Sequence, residues 1–139
     1  MTMPRPCARL GRAVVLAVAL VLPAACNESS PTGPTAQEVV LAPGETAAFP
    51  AGALRVRFDR VTGDSRCPAD AVCILGGDAI VRIAILDGTS SREDELHTGS
   101  MAPVHYGTWT IALVNLSPYP FSGQPIDPAT YRATLRLSR

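Results

Sequence analysis

The chain has 139 residues, 17% of them charged, and its twelve arginines balance twelve acids for a formal net charge of zero, with no lysine anywhere. Setting aside an N-terminal segment leaves about 100 residues to fold, which is one domain of ordinary size with an adequate core. That segment holds three of the arginines and no acid, so the remainder is mildly acidic; without a basic stripe to hold a phosphate backbone, nucleic acid is excluded as a partner class.

"MTMPRPCARLGR" opens the chain with Arg5, Arg9 and Arg12 and is followed by the apolar run "AVVLAVALVL", Ala13 to Leu22. A basic start, a short apolar core and small residues beyond it make an export signal over residues 1–25. The run is too short to remain as a span, which takes about twenty apolar residues. The "LPAAC" that follows resembles the processing site of bacterial lipoproteins, with Pro23 where that family usually carries leucine. The resemblance implies cleavage before Cys26 and a diacylglycerol on its thiol. Asn27 stands where inner-membrane retention is associated with aspartate, which implies the outer membrane; ordinary cleavage to a secreted or periplasmic protein is the alternative. Residues 26–37 include "NESSPTGPTAQ", which has no hydrophobic face and reads as a flexible tether. The folded domain is expected over 38–139.

Within it the pattern is that of strands. "EVVL" is short and apolar, Pro43-Gly44 turns the chain, and a second short strand ends near Phe49 before the turn "FPAG". In "ALRVRFDRV", Leu54, Val56 and Phe58 alternate with Arg55, Arg57 and Asp59, the period of a half-buried strand. "DAIVRIAIL" (78–86) is apolar on both faces and belongs inside a sheet. "DGTSSRED" reads as a polar turn and loop, and "ELHTGS" as a short edge strand. "YGTWTIALVNL" sets Trp109, Ile111 and Leu113 against Ala112, Val114 and Leu116. "SPYPFSGQPIDPAT" carries too many turn residues to be a helix. "YRATLRL" closes the chain with Tyr131, Ala133, Leu135 and Leu137 on one face. About seven strands joined by proline and glycine turns predict an all-β, antiparallel β-sandwich, with an immunoglobulin-like layout as the expected arrangement.

The stretch "DSRCPADAVCILGGD" between two of these strands holds Cys67 and Cys73. Cys7 would leave with the signal and, as the resemblance implies, Cys26 would take the lipid, so these two are expected to remain as a pair in an exported chain, where paired cysteines usually become a disulfide. Zinc requires four ligands, and nothing in the sequence gathers His97 and His105 to the cysteines. Redox enzymes carry Cys-x-x-Cys at a helix start, which this spacing is not. Asp59, Asp64, Asp70 and Asp78 surround the loop, but their spacing matches no EF-hand, and aspartates commonly cap turns. The preferred reading is a structural staple, with Gly76-Gly77 turning the backbone into the next strand; no metal or other cofactor is assigned.

"DSRCP", the second cysteine, Gly76-Gly77, His97-Thr98 and the Leu116–Pro120 segment together resemble a group of small bacterial lipoproteins and exported β-domain proteins. Ile74 or Leu75 stands here where that group usually has an aromatic residue. The group has no assigned function, so the resemblance implies a fold unit and a disulfide loop but no activity.

Catalytic sets are thin. There is no Gly-x-Ser-x-Gly elbow and no phosphate-binding glycine loop. His97, close to Glu93, Asp94 and Glu95, or His105 in "APVHYG" would be the base of a small envelope hydrolase, the first alternative function. A calcium-stabilised envelope module is the second. Tyr106, Trp109, Tyr119, Phe121 and Tyr131 gather in the last third. Trp109 shares a face with core residues, whereas Tyr119 and Phe121 lie in a proline-rich loop that presents side chains at low entropic cost. With Tyr106 they form the candidate binding patch. The leading expectation is a lipid-anchored, non-catalytic β-domain of the cell envelope that is structural or binds a protein or cell-wall ligand.

Overall fold

The computed structural model describes residues 36–49 and 54–139. The export signal, Cys26, the tether as far as residue 35 and the turn at 50–53 lie outside the described residues.

The described chain is all-β. β1 (Gln37–Leu41), β2 (Thr46–Ala48), β3 (Arg55–Asp64), β4 (Ala79–Asp87), β5 (Ser90–His97), β6 (Val104–Tyr106), β7 (Trp109–Ser117) and β8 (Arg132–Ser138) make two four-stranded sheets, broken only by one 3₁₀ turn at Pro128–Thr130. The sheets have the orders β1-β8-β7-β6 and β2-β3-β4-β5, with every neighbouring pair antiparallel. The β-sandwich is therefore present with eight strands rather than seven. Its layout differs from the expected one. An immunoglobulin domain interleaves non-consecutive strands, whereas here each sheet runs as a meander and only β1 pairs with a distant strand, β8. Short polar turns allow this, since consecutive antiparallel strands need only hairpin connections.

The alternating residues become the interior. Val56, Phe58, Val81, Ile83, Ile85 and Leu96 of one sheet face Ile111, Leu113, Leu135 and Leu137 of the other, all essentially without solvent contact. Each such side chain contributes roughly 1.5–3 kcal/mol on burial, so this alternation drives the two sheets together. β4, apolar on both faces, lies between β3 and β5 as expected.

Two departures have local causes. A register shift between Leu113 and Asn115 in β7 rotates the strand by one residue, so Leu116 turns into the core at 2% exposure instead of joining Ala112 and Val114 on the outer face. The segment read as a polar loop after Asp87 is a strand: β5 begins at Ser90 and pairs with β4 along its whole length. Its side chains are polar because it is an edge, and charges along an edge discourage pairing with another chain. β6, three residues long, has no alternation from which to read it. No helix of the described residues is long and apolar enough to cross a membrane.

The registers also sort the loops. Asp64 pairs with Ala79, Ile80 with His97 and Ser117 with Arg132, so the 65–78, 98–103 and 118–131 connections share one pole. Gln37 pairs with Leu137, so the chain enters β1 at the opposite pole.

Candidate functional site

The loop pole is built around Arg66, the one buried charged side chain among the described residues. It follows the end of β3 by two residues and folds back on Asp64. Nε donates to Oδ1 at 2.9 Å and one terminal nitrogen donates to Oδ2 at 2.6 Å. The same guanidinium crosses to the other sheet, donating to the carbonyls of Leu116 at 2.6 Å and Pro118 at 2.8 Å. The Tyr131 hydroxyl donates to Asp64 Oδ2 at 2.9 Å, and the Tyr119 ring lies 5.1 Å from the guanidinium carbon. A planar fork with five donors suits this work, because it pairs a carboxylate and still reaches two carbonyls. Burial pushes the Asp64 carboxyl upward, but the hydrogen bonds from Arg66 and Tyr131 outweigh it and hold the group below the ordinary carboxylate value. Burial, reinforced by Asp64, pushes the Tyr131 phenol up to about 12.

A second knot closes the base of the cysteine loop. Asp78 Oδ2 meets His97 Nδ1 at 2.6 Å, while Oδ1 accepts from the Gly99 amide at 2.7 Å and the Thr98 hydroxyl at 3.1 Å. The Ser65 amide and hydroxyl both donate to the Asp78 carbonyl, and the Asp78 amide donates to that hydroxyl. Burial raises the Asp78 carboxyl, and the bonds from His97, Gly99 and Thr98 more than reverse this and lower it. Gly77 has its role here. A Cβ at this position would come within 1.5 Å of the Ser65 carbonyl oxygen, so glycine permits the two limbs to touch. It serves close approach rather than the sharp turn expected of it.

Between these knots the loop projects outward. Cys67 and Cys73 form a disulfide with their Cα atoms 6.0 Å apart. The Ala69 amide donates to the Pro120 carbonyl, and the Ser122 amide donates to Asp70, so the loop is fastened to the proline-rich connection beside it. On either side of Cys73 the side chains turn outward: Val72 and Ile74 are fully exposed and Leu75 is 82% exposed. Tyr119, Phe121 and Met101 stand half-exposed at the same pole. A cleft of about 190 Å³ runs beside the tip, lined by Arg66, Gly77, Met101, Leu116 and Tyr119 among others. A neighbouring cleft of about 300 Å³ is lined by Tyr119, Phe121, Pro125 and Ile126 among others.

The structure divides the residues singled out from sequence. Tyr119 and Phe121 are brought together at the loop pole. Tyr106 is not with them: it lies at the far end of the sandwich, where its hydroxyl donates to Asp87 at 3.3 Å and its ring packs on the core. Trp109, also at that end, is half-buried against the core with Arg139 over its ring. His97 and His105 are apart, the first held by Asp78 and the second beside the Thr110 hydroxyl on exposed β6. The four aspartates have four separate partners, namely Arg57 for Asp59, Arg66 for Asp64, the Ser122 amide for Asp70 and His97 for Asp78. Among the described residues no three His, Cys, Asp or Glu side chains gather as a metal site. The sequence reading missed two features of the pole: the buried ion pair inside "DSR", and the exposed "VCIL" tip. The tip had a signal, since three aliphatic residues crowd a polar loop that no strand periodicity explains.

No family model, curated protein or solved structure matches the chain.

Proposed function

We propose that this is a lipid-anchored β-domain of the cell envelope that acts by surface contact through its loop pole, without catalysis. The observation that carries the contact reading is the tip itself. Three aliphatic side chains stand fully or largely in water on a loop braced by a disulfide, a buried ion pair and two cross-loop hydrogen bonds. An apolar projection whose stem is closed by a disulfide loses less conformational freedom on binding than an open loop would, which favours its use as a contact. Tyr119 and Phe121 extend the same surface. The described chain enters β1 at the opposite pole from these loops.

The address is supported by the basic, apolar and small-residue order of residues 1–25 and by "LPAAC". The hydrolase alternative has an orienting acid in Asp78 and a ring in His97, but the neighbouring Ser65 and Thr98 hydroxyls are bonded to Asp78 rather than to the ring. The calcium alternative would require aspartates that converge, and each of these has its own partner.

Intact mass of the native protein from membrane and soluble fractions, before and after reduction, tests the reading. The expected species begins at an acylated Cys26, is found with membranes and gains two hydrogens on reduction. A chain that keeps residues 1–25, or that carries free thiols at Cys67 and Cys73, would overturn the envelope address.

A further inference from the structure

We infer that the Cys67–Cys73 disulfide is a latch: closed, it holds the aliphatic limb 72–76 out in water, and opened by a dithiol it lets that limb fold into the cleft beside it. The inference rests on the contact reading above and says when that surface is presented.

The two limbs of the loop are fastened unequally. Residues 65–71 are tied to the domain by the Arg66 guanidinium, by the Ala69 amide donating to the Pro120 carbonyl and by the Ser122 amide donating to Asp70. Bonds between Ser65 and Asp78 close the base, and the β3–β4 ladder pairs as far as Asp64 and Ala79. Among the described residues no hydrogen bond reaches residues 72–76, so the disulfide is the one bond that ties them back. What it holds is the pose of Val72, Ile74 and Leu75, not the sandwich.

That pose keeps apolar side chains in water, from which they withdraw wherever the chain permits. The cleft of about 190 Å³ offers the place, since its wall includes Met101, Leu113, Leu116, Tyr119 and Gly77, the residue that ends the limb. Leu75 lies two residues from Gly77, a reach of up to about 7 Å of extended chain. An apolar space of about 150 Å³ takes a benzene-sized group, so this one has room for a leucine side chain. Asp70 is exposed and negative, but it belongs to the fixed limb and is not buried by the movement.

Cys73 is exposed and Cys67 half-buried, so attack falls on the Cys73 sulfur. A thiolate of the dithiol bonds to Cys73 Sγ and the Cys67 sulfur leaves. The second thiol then displaces Cys73, closing the reductant's own disulfide, and the two thiol protons end on the two cysteines. Cys67 Sγ lies 3.6 Å from the Ala71 carbonyl oxygen and 3.7 Å from that of Pro68, so the new thiol has an acceptor in place.

The full chain with methyl-labelled leucine and methionine, compared before and after dithiothreitol under native conditions, tests this. On reduction both cysteines are expected to become open to alkylation, the β3 and β4 amides away from the loop to keep their chemical shifts, and a nuclear Overhauser contact to appear between the Leu75 and Met101 methyls. A chain carrying Cys67→Ser and Cys73→Ser together should show the same contact without reductant, and adding Leu75→Asp should abolish it. A disulfide that resists dithiothreitol until the domain unfolds, or a reduced limb whose Leu75 methyls gain no contact, would overturn the latch. Neither result touches the contact reading, which fails separately if a photo-crosslinking residue at Ile74 of the oxidised, exported chain captures nothing in the cell.

Discussion

Asp64 and Arg66 sit where the fold most depends on individual side chains. Each would be costly alone in that position, and together they satisfy both charges, one backbone carbonyl of the opposite sheet and one of the connection that follows it. Arg66→Met is expected to destabilise the domain by about 3–5 kcal/mol, because it leaves a buried carboxylate without its partner; denaturant unfolding measures this, and a loss below 1 kcal/mol would place the ion pair in solvent. The same groups set the pH limits. Asp64 and Asp78 have folded values below the unfolded carboxylate value of about 3.9. Their contribution is therefore complete above roughly pH 5 and is lost as pH falls through their lowered values. Tyr131 is the opposite case. Its folded value is raised to about 12 from 10.0, so its contribution is complete below pH 10 and is lost as pH rises toward 12. Melting temperature followed across pH should be flat from these groups in the middle range and fall at both ends. An unchanged acid limb in Asp64→Asn would refute the assignment. None of this was legible in "DSR", because a neighbouring acid and base in a loop look the same whether solvated or buried.

At the scale of the element, the cysteine loop is a hairpin connection with an unusual burden. It is long, polar at its base and apolar at its tip, and it is fastened at several points along its length. Cys73→Ser is expected to cost about 2 kcal/mol, as expected for opening a small closed loop, while β3 and β4 keep their register through their own ladder. The measurement is unfolding of the variant beside the reduced parent. Equal stability of oxidised and reduced parent would show that the other fastenings suffice. β3 and β8 were readable because one apolar face is buried and the period is two, and β4 because it is a continuous apolar run bounded by polar turns. β5 and β6 were not, since an edge strand takes its structure from the neighbour's backbone and leaves almost no hydrophobic trace. Leu116 was misplaced for a related reason: a one-residue register shift exchanges faces without changing the composition of the strand.

Over the whole of the described domain, a meander of eight strands folded into two sheets puts the cysteine loop and the proline-rich connection at one pole and the start of β1 at the other. The entering strand β1 closes against β8, and the two longest connections, 65–78 and 118–131, are left at the other pole. Local contacts between consecutive strands make this an arrangement of modest topological difficulty, with the β1–β8 pairing as the principal long-range closure. The residues themselves determined the all-β class, the cysteine pair and the identity of most core positions, because these follow from composition and from alternation along single strands. Tertiary structure alone decided the strand order, the separation of Tyr106 from Tyr119 and Phe121, the burial of Arg66 and the exposure of Val72, Ile74 and Leu75. Each of those depends on which segments the closed sandwich brings to the same pole, and that is a property of pairing between distant strands, which no local period encodes.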